Sequence, residues 1–174
     1  FGDHYAFLAS SSDMESDYAF EVGSEKDDEV LVAQVTRATD LIFFNAQFDI
    51  HMLVKTGLFT YGDILGKRVH DVSVLARLTV PKHEVNFIYR LKNIADCILG
   101  EGSSEAEAAL KQAMFEEGII KRPTQKELPD GAYHDLWVAN PDIVVEYAKK
   151  DTRLTWELFF ALMDRLENPV LGRS

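Results

Sequence analysis

The chain contains a single cysteine, Cys97, among its 174 residues, so it cannot form an internal disulfide or a zinc site of several thiolates. It also lacks an apolar run long enough to span a membrane, and its first residues do not have the pattern of a signal or transit peptide. These absences are typical of a protein from a reducing compartment. We therefore expect a cytoplasmic location and no membrane partner.

Basic residues are few, because 18 lysines and arginines stand against 29 aspartates and glutamates, which gives a net charge of −11. This charge argues against a protein that binds nucleic acid through a broad basic surface. It is compatible with a site that meets phosphate groups through bound metal ions, because carboxylates build such sites. The hydrophobic content of 47% is ordinary for one domain with its own core.

Short apolar runs alternate with amphipathic segments along the chain, which predicts an α/β domain. Two strand-like runs around a polar stretch predict a β-hairpin over residues 4–23. An apolar run at residues 41–44 predicts a buried strand that leads into a helix ending at Gly57. Further helices are predicted over residues 24–40, 71–80, 87–99 and 140–168.

The composition changes over residues 101–132, where a strongly helical stretch is followed by a basic loop with a Pro-Asp-Gly turn. We interpret these residues as a helix-and-loop insertion within one domain that spans residues 1–174. The chain opens at Phe1 without a methionine and closes on a polar segment. We expect a fragment of a longer protein, with another domain on its C-terminal side.

Two aspartates lie where their helices carry apolar residues. Asp151 shares a helical face with Leu154, and Asp49 lies at the first turn of the helix after the buried strand. An unpaired buried carboxylate is costly, so each is expected to meet a cation, a set of donors, or water in a cleft. Taken alone, Asp49 is also explained as an acid at a helix start, and Asp151 as an ion-pair partner of Arg153 or Lys150.

The segments around these aspartates are NAQFDIHML at residues 45–53 and YAKKDTRLT at residues 147–155. In this order they resemble the second and third motifs of the four-carboxylate (DEDD) 3′–5′ exonucleases, in particular the proofreading domain of bacterial and phage family A DNA polymerases. The segments VHDVSVLARL and RLKNIADCILG are similar to other parts of that family. The resemblance covers nearly the whole chain and implies a ribonuclease H-like fold, with a mixed central sheet flanked by helices.

The resemblance also implies a catalytic role for three residues. Asp49 and Asp151 would hold two magnesium or manganese ions, and Tyr147 would orient the attacking water. The related branch of the family has a histidine base five residues before the last aspartate, where this chain has Glu146. The chain is therefore identified as a member of the tyrosine branch.

The remaining motif residues are implied to bind substrate or to support the site. Asn45 would contact the backbone of the terminal nucleotide, and Phe48 would pack beneath it. Leu53 and Thr155 would support the two aspartates. The implied partners are the 3′ end of single-stranded DNA and a polymerase domain on the C-terminal side, which would use the reaction for proofreading.

The first motif of the family is an apolar strand that ends in Asp-x-Glu, and its place in this chain is open. Asp13 and Glu15 have the spacing, but they lie between two strand-like runs, which favours a hairpin turn. We expect the first strand and its acids upstream of Phe1. The alternatives are replacement by another segment, or a first strand at residues 4–12 that has lost its acids.

Three functions are open from the sequence. The first is an active metal-dependent 3′–5′ exonuclease acting on DNA. The second is a domain of the same fold that binds DNA ends, or braces a polymerase, without cutting. The third is an exoribonuclease of the same fold that acts on transfer or ribosomal RNA ends, because nothing in the sequence reads the 2′-hydroxyl.

Other polar and aromatic residues are predicted to have structural roles. Asp71 is expected to cap a helix, and Tyr133 and Trp137 are expected to pack in the core. The histidines are scattered without metal-ligand spacing.

Overall fold

The computed structural model describes residues 6–100 and 104–168 of the chain. Within these ranges the strands are β1 (Leu8–Ser12), β2 (Asp17–Glu21), β3 (Asp40–Phe43) and β4 (Arg68–Asp71). The helices are α1 (Glu25–Arg37), α2 (Ala46–Lys55), α3 (Tyr61–Leu65), α4 (Val72–Thr79), α5 (Leu91–Leu99), α6 (Ser104–Glu116), α7 (Ala132–Ala139) and α8 (Pro141–Glu167). The chain is thus an α/β protein, as predicted.

The described strands form two separate pairs, whereas the family resemblance implies one mixed central sheet. β1 and β2 form the predicted hairpin, with Leu8 opposite Glu21. β3 and β4 run parallel, with Asp40 opposite Arg68. The sheets stay separate because no strand among the described residues pairs with both β1 and β3.

Helix α8 is the element against which most others pack. It contacts β1, β2 and β3 as well as α4, α5, α6 and α7. Its start follows the sequence rules, because Pro141 takes the first helical position and Asp142 lies in the first turn. None of the described helices, α8 with its 27 residues included, is apolar enough over sufficient length to cross a membrane.

Three clusters of buried side chains make up the core. The first joins α4, α5 and α8, the second joins β2, α1, α2 and α3, and the third joins α6, α7 and the start of α8. Their largest fully buried members include Val72, Ile94, Leu154, Leu158 and Leu162 in the first cluster, Ile64 in the second, and Leu110, Met114 and Leu136 in the third. Because α8 contributes to the first and third clusters, its position fixes how the helices surround the two sheets.

Residues of the predicted insertion contribute to this core. Residues 101–103 lie outside the described residues, and α6 follows them. Leu110 and Met114 of α6 pack with Leu136 of α7 and Val144 of α8. The segment is therefore an integral helical layer against α8, and α7, which the sequence did not predict, completes it.

The predicted helix over residues 87–99 begins later than its periodicity indicated. α5 begins at Leu91, and the residues before it turn through Asn86 and Phe87, which have φ angles of 50° and 64°. Such left-handed conformations interrupt a helix. Phe87 consequently points away from the core, with 74% of its surface exposed, so its helical spacing from Leu91 was misleading.

Candidate functional site

A groove of about 990 Å³ lies between the two sheets. β1 lines one side of it and β3 the other, and α8, which packs against both strands, contributes Asp151, Thr155 and Trp156. From α2, Asp49 and Leu53 reach the same groove beside β3. Two of the predicted catalytic residues and both predicted supporting residues, which are far apart in sequence, therefore line one groove.

Asp49 is positioned by a sharp junction between β3 and α2. Asn45 precedes α2 with φ 86° and ψ 61°, a left-handed conformation that asparagine tolerates better than most residues. The Asp71 carboxylate accepts hydrogen bonds from the amides of Asn45 and Ala46 at 3.3 and 2.8 Å. It also caps α4, as predicted, by accepting from the amide of Ser73 at 2.8 Å. One side chain thus ties the start of α2 to the start of α4.

Replacing Asp71 with alanine should destabilise the protein by about 1–3 kcal/mol, because it removes a helix cap and leaves the amides at the start of α2 without their partner. The substitution also removes the repulsion between the charges of Asp71 and Asp49, which offsets a small part of the lost stability. Urea denaturation monitored by circular dichroism measures the difference. Asp130→Ala, in an exposed turn, is the matched control and should change stability by less than about 0.5 kcal/mol. Equal stability of Asp71→Ala and Asp130→Ala would contradict the role of Asp71 in joining the start of α2 to the start of α4.

The Asp49 carboxylate is partly buried and has no cationic partner among the described residues. Burial, followed by the negative charge of Asp71, raises its pKa from 3.8 to about 7. Asp49 does lie in the first turn of α2, as the helix-start interpretation requires, but the positive end of the helix does not offset the effects of burial and of Asp71 on its pKa. A bound cation would lower the pKa and remove the repulsion.

Asp151 has a cationic partner that the sequence did not predict. The Lys92 ammonium, from the first turn of α5, donates to Asp151 Oδ1. The predicted pairing with Arg153 is wrong, because Arg153 reaches across to Asp17 of β2 at 2.7 Å instead. Lys150 acts on Asp151 only through its more distant charge. Burial raises the pKa of Asp151, and the hydrogen bond and charge of Lys92 oppose this rise.

Tyr147 lies one turn before Asp151 and is held by the same lysine. The Lys92 Nζ atom lies 4.6 Å from the centroid of the Tyr147 ring, within the range of a cation–π contact. Burial, followed by the charge of Asp151, raises the pKa of the Tyr147 phenol above its ordinary value. At neutral pH the hydroxyl is therefore protonated, and it can donate or accept a hydrogen bond but cannot serve as an anionic base.

Two further residues bring charge and a hydroxyl close to Tyr147. Glu107 of α6 pairs with Lys111 at 2.9 Å, and its charge contributes to raising the pKa of Tyr147, Tyr133 and Asp151. Tyr133 of α7 is partly exposed rather than packed in the core as predicted. No helical pattern marked Glu107, because α6 carries several acids that the sequence does not distinguish.

The residues implied to bind the terminal nucleotide are not among those that line the groove. Asn45 is exposed at the start of α2, where its backbone rather than its side chain makes the described contacts. Phe48 is 43% exposed on the first turn of α2. The two side chains thus lie on the surface beside the groove.

Asp13 and Glu15 lie in the hairpin turn, as the favoured interpretation predicted. The Asp13 carboxylate accepts hydrogen bonds from the amides of Glu15 and Ser16 at 2.9 and 2.8 Å. These bonds lower the pKa of Asp13 and fix the turn between β1 and β2. The Asp13 carboxylate, which also lines the groove, is therefore engaged in the hydrogen bonds of the turn.

Asp49 and Asp151, two of the four aspartates that line the groove, fit a hard divalent cation in their chemistry but not in number. Carboxylate oxygens are the ligands that magnesium and manganese prefer. However, within residues 6–100 and 104–168 no group of three or more histidine, cysteine, aspartate or glutamate side chains is placed to hold a metal ion. Asp49 and Asp151 would each contribute to a metal site that needs further ligands, such as water, phosphate oxygens or residues outside the described ranges.

Comparisons with protein-family models, with curated proteins and with solved structures give no match for this chain. The resemblance to the exonuclease family therefore rests on the two motifs and stays a prediction.

Proposed function

We propose that the chain is a metal-dependent 3′–5′ exonuclease of ribonuclease H-like fold that removes nucleotides from DNA 3′ ends. The observation that supports it is the shared groove, in which Asp49 from α2 and Asp151 from α8 are exposed to the same solvent space. Burial raises the pKa of both acids, and a cation bound nearby would lower it again. Proofreading for a polymerase domain on the C-terminal side is part of this proposal.

The chemistry of the chain's own residues suits phosphodiester hydrolysis. Bound divalent metal would neutralise the phosphate and lower the pKa of a water molecule. Asp49 and Asp151 supply the negative charge that holds cations in the groove. The protonated Tyr147 hydroxyl, one turn from Asp151, would orient a water molecule by donating or accepting a hydrogen bond, without removing its proton.

The two acids of the family's first motif would come from outside the described residues. What supports this position is that, within residues 6–100 and 104–168, β1 and β3 each pair along one edge only and both line the groove. A strand in this position would join the two sheets into the mixed central sheet that the resemblance implies.

Digestion of a 5′-labelled single-stranded DNA oligonucleotide tests the proposed function. We expect a ladder that shortens from the 3′ end in magnesium or manganese and disappears when a chelator is added. A matched RNA oligonucleotide, run in parallel, should be shortened more slowly.

Faster shortening of the RNA would replace the proposal with an exoribonuclease. If the folded chain shortens neither substrate, hydrolysis is contradicted. Binding of the labelled DNA by that same preparation, measured by fluorescence anisotropy, would then identify a domain that grips DNA ends without cutting them.

A further inference from the structure

A single ammonium group contacts both predicted catalytic residues of α8. Lys92 donates a hydrogen bond to Asp151 Oδ1, and its Nζ atom lies 4.6 Å from the centroid of the Tyr147 ring. The Lys92 side chain is only 15% exposed, and it does not line the groove, although the preceding residue, Leu91, does. The ammonium therefore supports Asp151 and Tyr147 from the side of α5 and does not present its charge to the groove.

The fold holds Lys92 in this position. Lys92 lies in the first turn of α5, whose Ile94 and Ala95 are fully buried in the core cluster that joins α5 to α8. Because this cluster anchors both helices, it also sets where the ammonium meets α8. An ammonium that left this place would lose a charge-assisted hydrogen bond to Asp151 and a cation–π contact.

The two contacts fix the relative position of two side chains that the helix alone does not fix. Tyr147 and Asp151 are one turn apart on α8, and each side chain can rotate about its own bonds between staggered rotamers. A charge that lies against the ring and bonds to the carboxylate favours one combination of these rotamers. A carboxylate has two oxygens, so Asp151 can accept from Lys92 and still offer an oxygen to a bound ion or to water.

We propose that Lys92 is a positioning residue of the site, which holds the Tyr147 hydroxyl and the Asp151 carboxylate in one geometry for the water and the phosphate. Neither of the two aspartate motifs contains it. The inference rests on the proposed function and adds to it a residue that acts through Tyr147 and Asp151 without touching the substrate. Small displacements of positioned groups lower reaction rates steeply, by about a hundredfold for a shift of about 1 Å.

The first measurement is the rate of digestion of 5′-labelled single-stranded DNA by the full chain in magnesium. Lys92→Met removes the charge at similar side-chain length and should lower kcat and kcat/KM equally, by about tenfold to a hundredfold, because the lost geometry is needed only in the transition state. Lys92→Arg keeps a cation and should restore most of the rate. Lys82→Met, the same substitution at an exposed lysine before α5, should digest DNA at the wild-type rate.

The second measurement does not depend on activity, because it is made without metal or DNA. The protein is labelled with 3-fluorotyrosine, and the fluorine NMR resonance of Tyr147 is identified by its loss in Tyr147→Phe. Lys92→Met should shift this resonance, since the ring loses the charge beside it. Lys82→Met should leave the resonance in place, and Lys92→Arg should move it less than Lys92→Met does.

The outcomes separate this inference from the proposed function. An active wild type with an equally active Lys92→Met, or an unmoved Tyr147 resonance in that variant, would overturn the role of Lys92 and leave the proposed hydrolysis intact. A rise in KM with kcat unchanged would also overturn it, because such a change would show that Lys92 binds the substrate directly. A folded wild type that digests no DNA would overturn the proposed function, and this inference with it. If Lys92→Met fails to fold, Lys92→Gln, which is also uncharged, is tested by the same criteria.

Discussion

Asp151→Asn should lower the rate of 3′-end hydrolysis at least about a hundredfold, the usual scale for losing a charged group that acts at the reacting phosphate. Asparagine keeps the shape of the side chain but removes its charge. Lys92 would lose its ionic partner, and with it the fixed position between Asp151 and Tyr147. Single-turnover digestion of labelled DNA at saturating enzyme measures the change without a contribution from substrate release.

The control lies on the same helix. Asp164 is exposed near the end of α8, so Asp164→Asn should digest DNA at the wild-type rate. Wild-type activity in Asp151→Asn would contradict the proposed catalytic site, provided that circular dichroism shows Asp151→Asn and Asp164→Asn to be folded alike.

Tyr147→Phe keeps the ring beside Lys92 and removes only the hydroxyl, and its rate of DNA digestion should fall about tenfold to a hundredfold.

The motif helices were predictable from the sequence because each is specified locally. α2 follows a continuous apolar strand and ends before Gly57, and α8 has its proline at the start and a long apolar stripe. Asp49 and Asp151 interrupt these patterns, and a polar residue on an apolar face indicates a special environment from the sequence alone. Their arrival in one groove was implied by the family resemblance rather than by periodicity.

The electrostatic partners of the two aspartates could not be predicted in the same way. Lys92 reaches Asp151, and Asp71 repels Asp49, only because α5 and β4 are packed beside them in the fold. Lys92 left a weak signal, because it lies three residues before the fully buried Ala95 and so borders the apolar face of α5. Lys150 and Arg153, the basic residues nearest to Asp151 in sequence, were the wrong ion-pair partners for it, because they project from other faces of the helix.

The divided sheet shows the limit of predicting pairing from separate strands. The run at residues 41–44 and the hairpin were both recognised as strands, and the hairpin pairs as predicted. The parallel pairing of β3 with β4 was not predicted. Which strands neighbour one another is not determined by these runs, and among the described residues β1 and β3 belong to separate two-stranded sheets. Register and strand order are therefore tertiary properties that the apolar patterns of single strands do not carry.

Asp49→Asn should stabilise the metal-free protein by about 1–2 kcal/mol at pH 8, because it removes a partly buried charge that Asp71 repels. The pKa of Asp49 is raised from 3.8 to about 7 in the folded chain, so the unfolded chain releases this proton more readily. The destabilisation by Asp49 is absent below about pH 4, grows as the pH rises to 7, and is constant above it. The full shift would correspond to an upper bound of about 4 kcal/mol, and partial exposure of the side chain reduces it.

Urea denaturation of both proteins at several pH values between 4 and 8 measures this difference, since the other titrating groups cancel between them. Magnesium should then stabilise the wild type at pH 8 and leave Asp49→Asn unchanged, because a cation at Asp49 binds the folded state and relieves the same repulsion. Asp130→Asn, at an exposed acid in a turn outside the helices, is the control and should follow the wild type in both respects. A stability difference that is independent of pH would show that Asp49 is already neutralised by a group of the protein, and the metal would then have no place beside it.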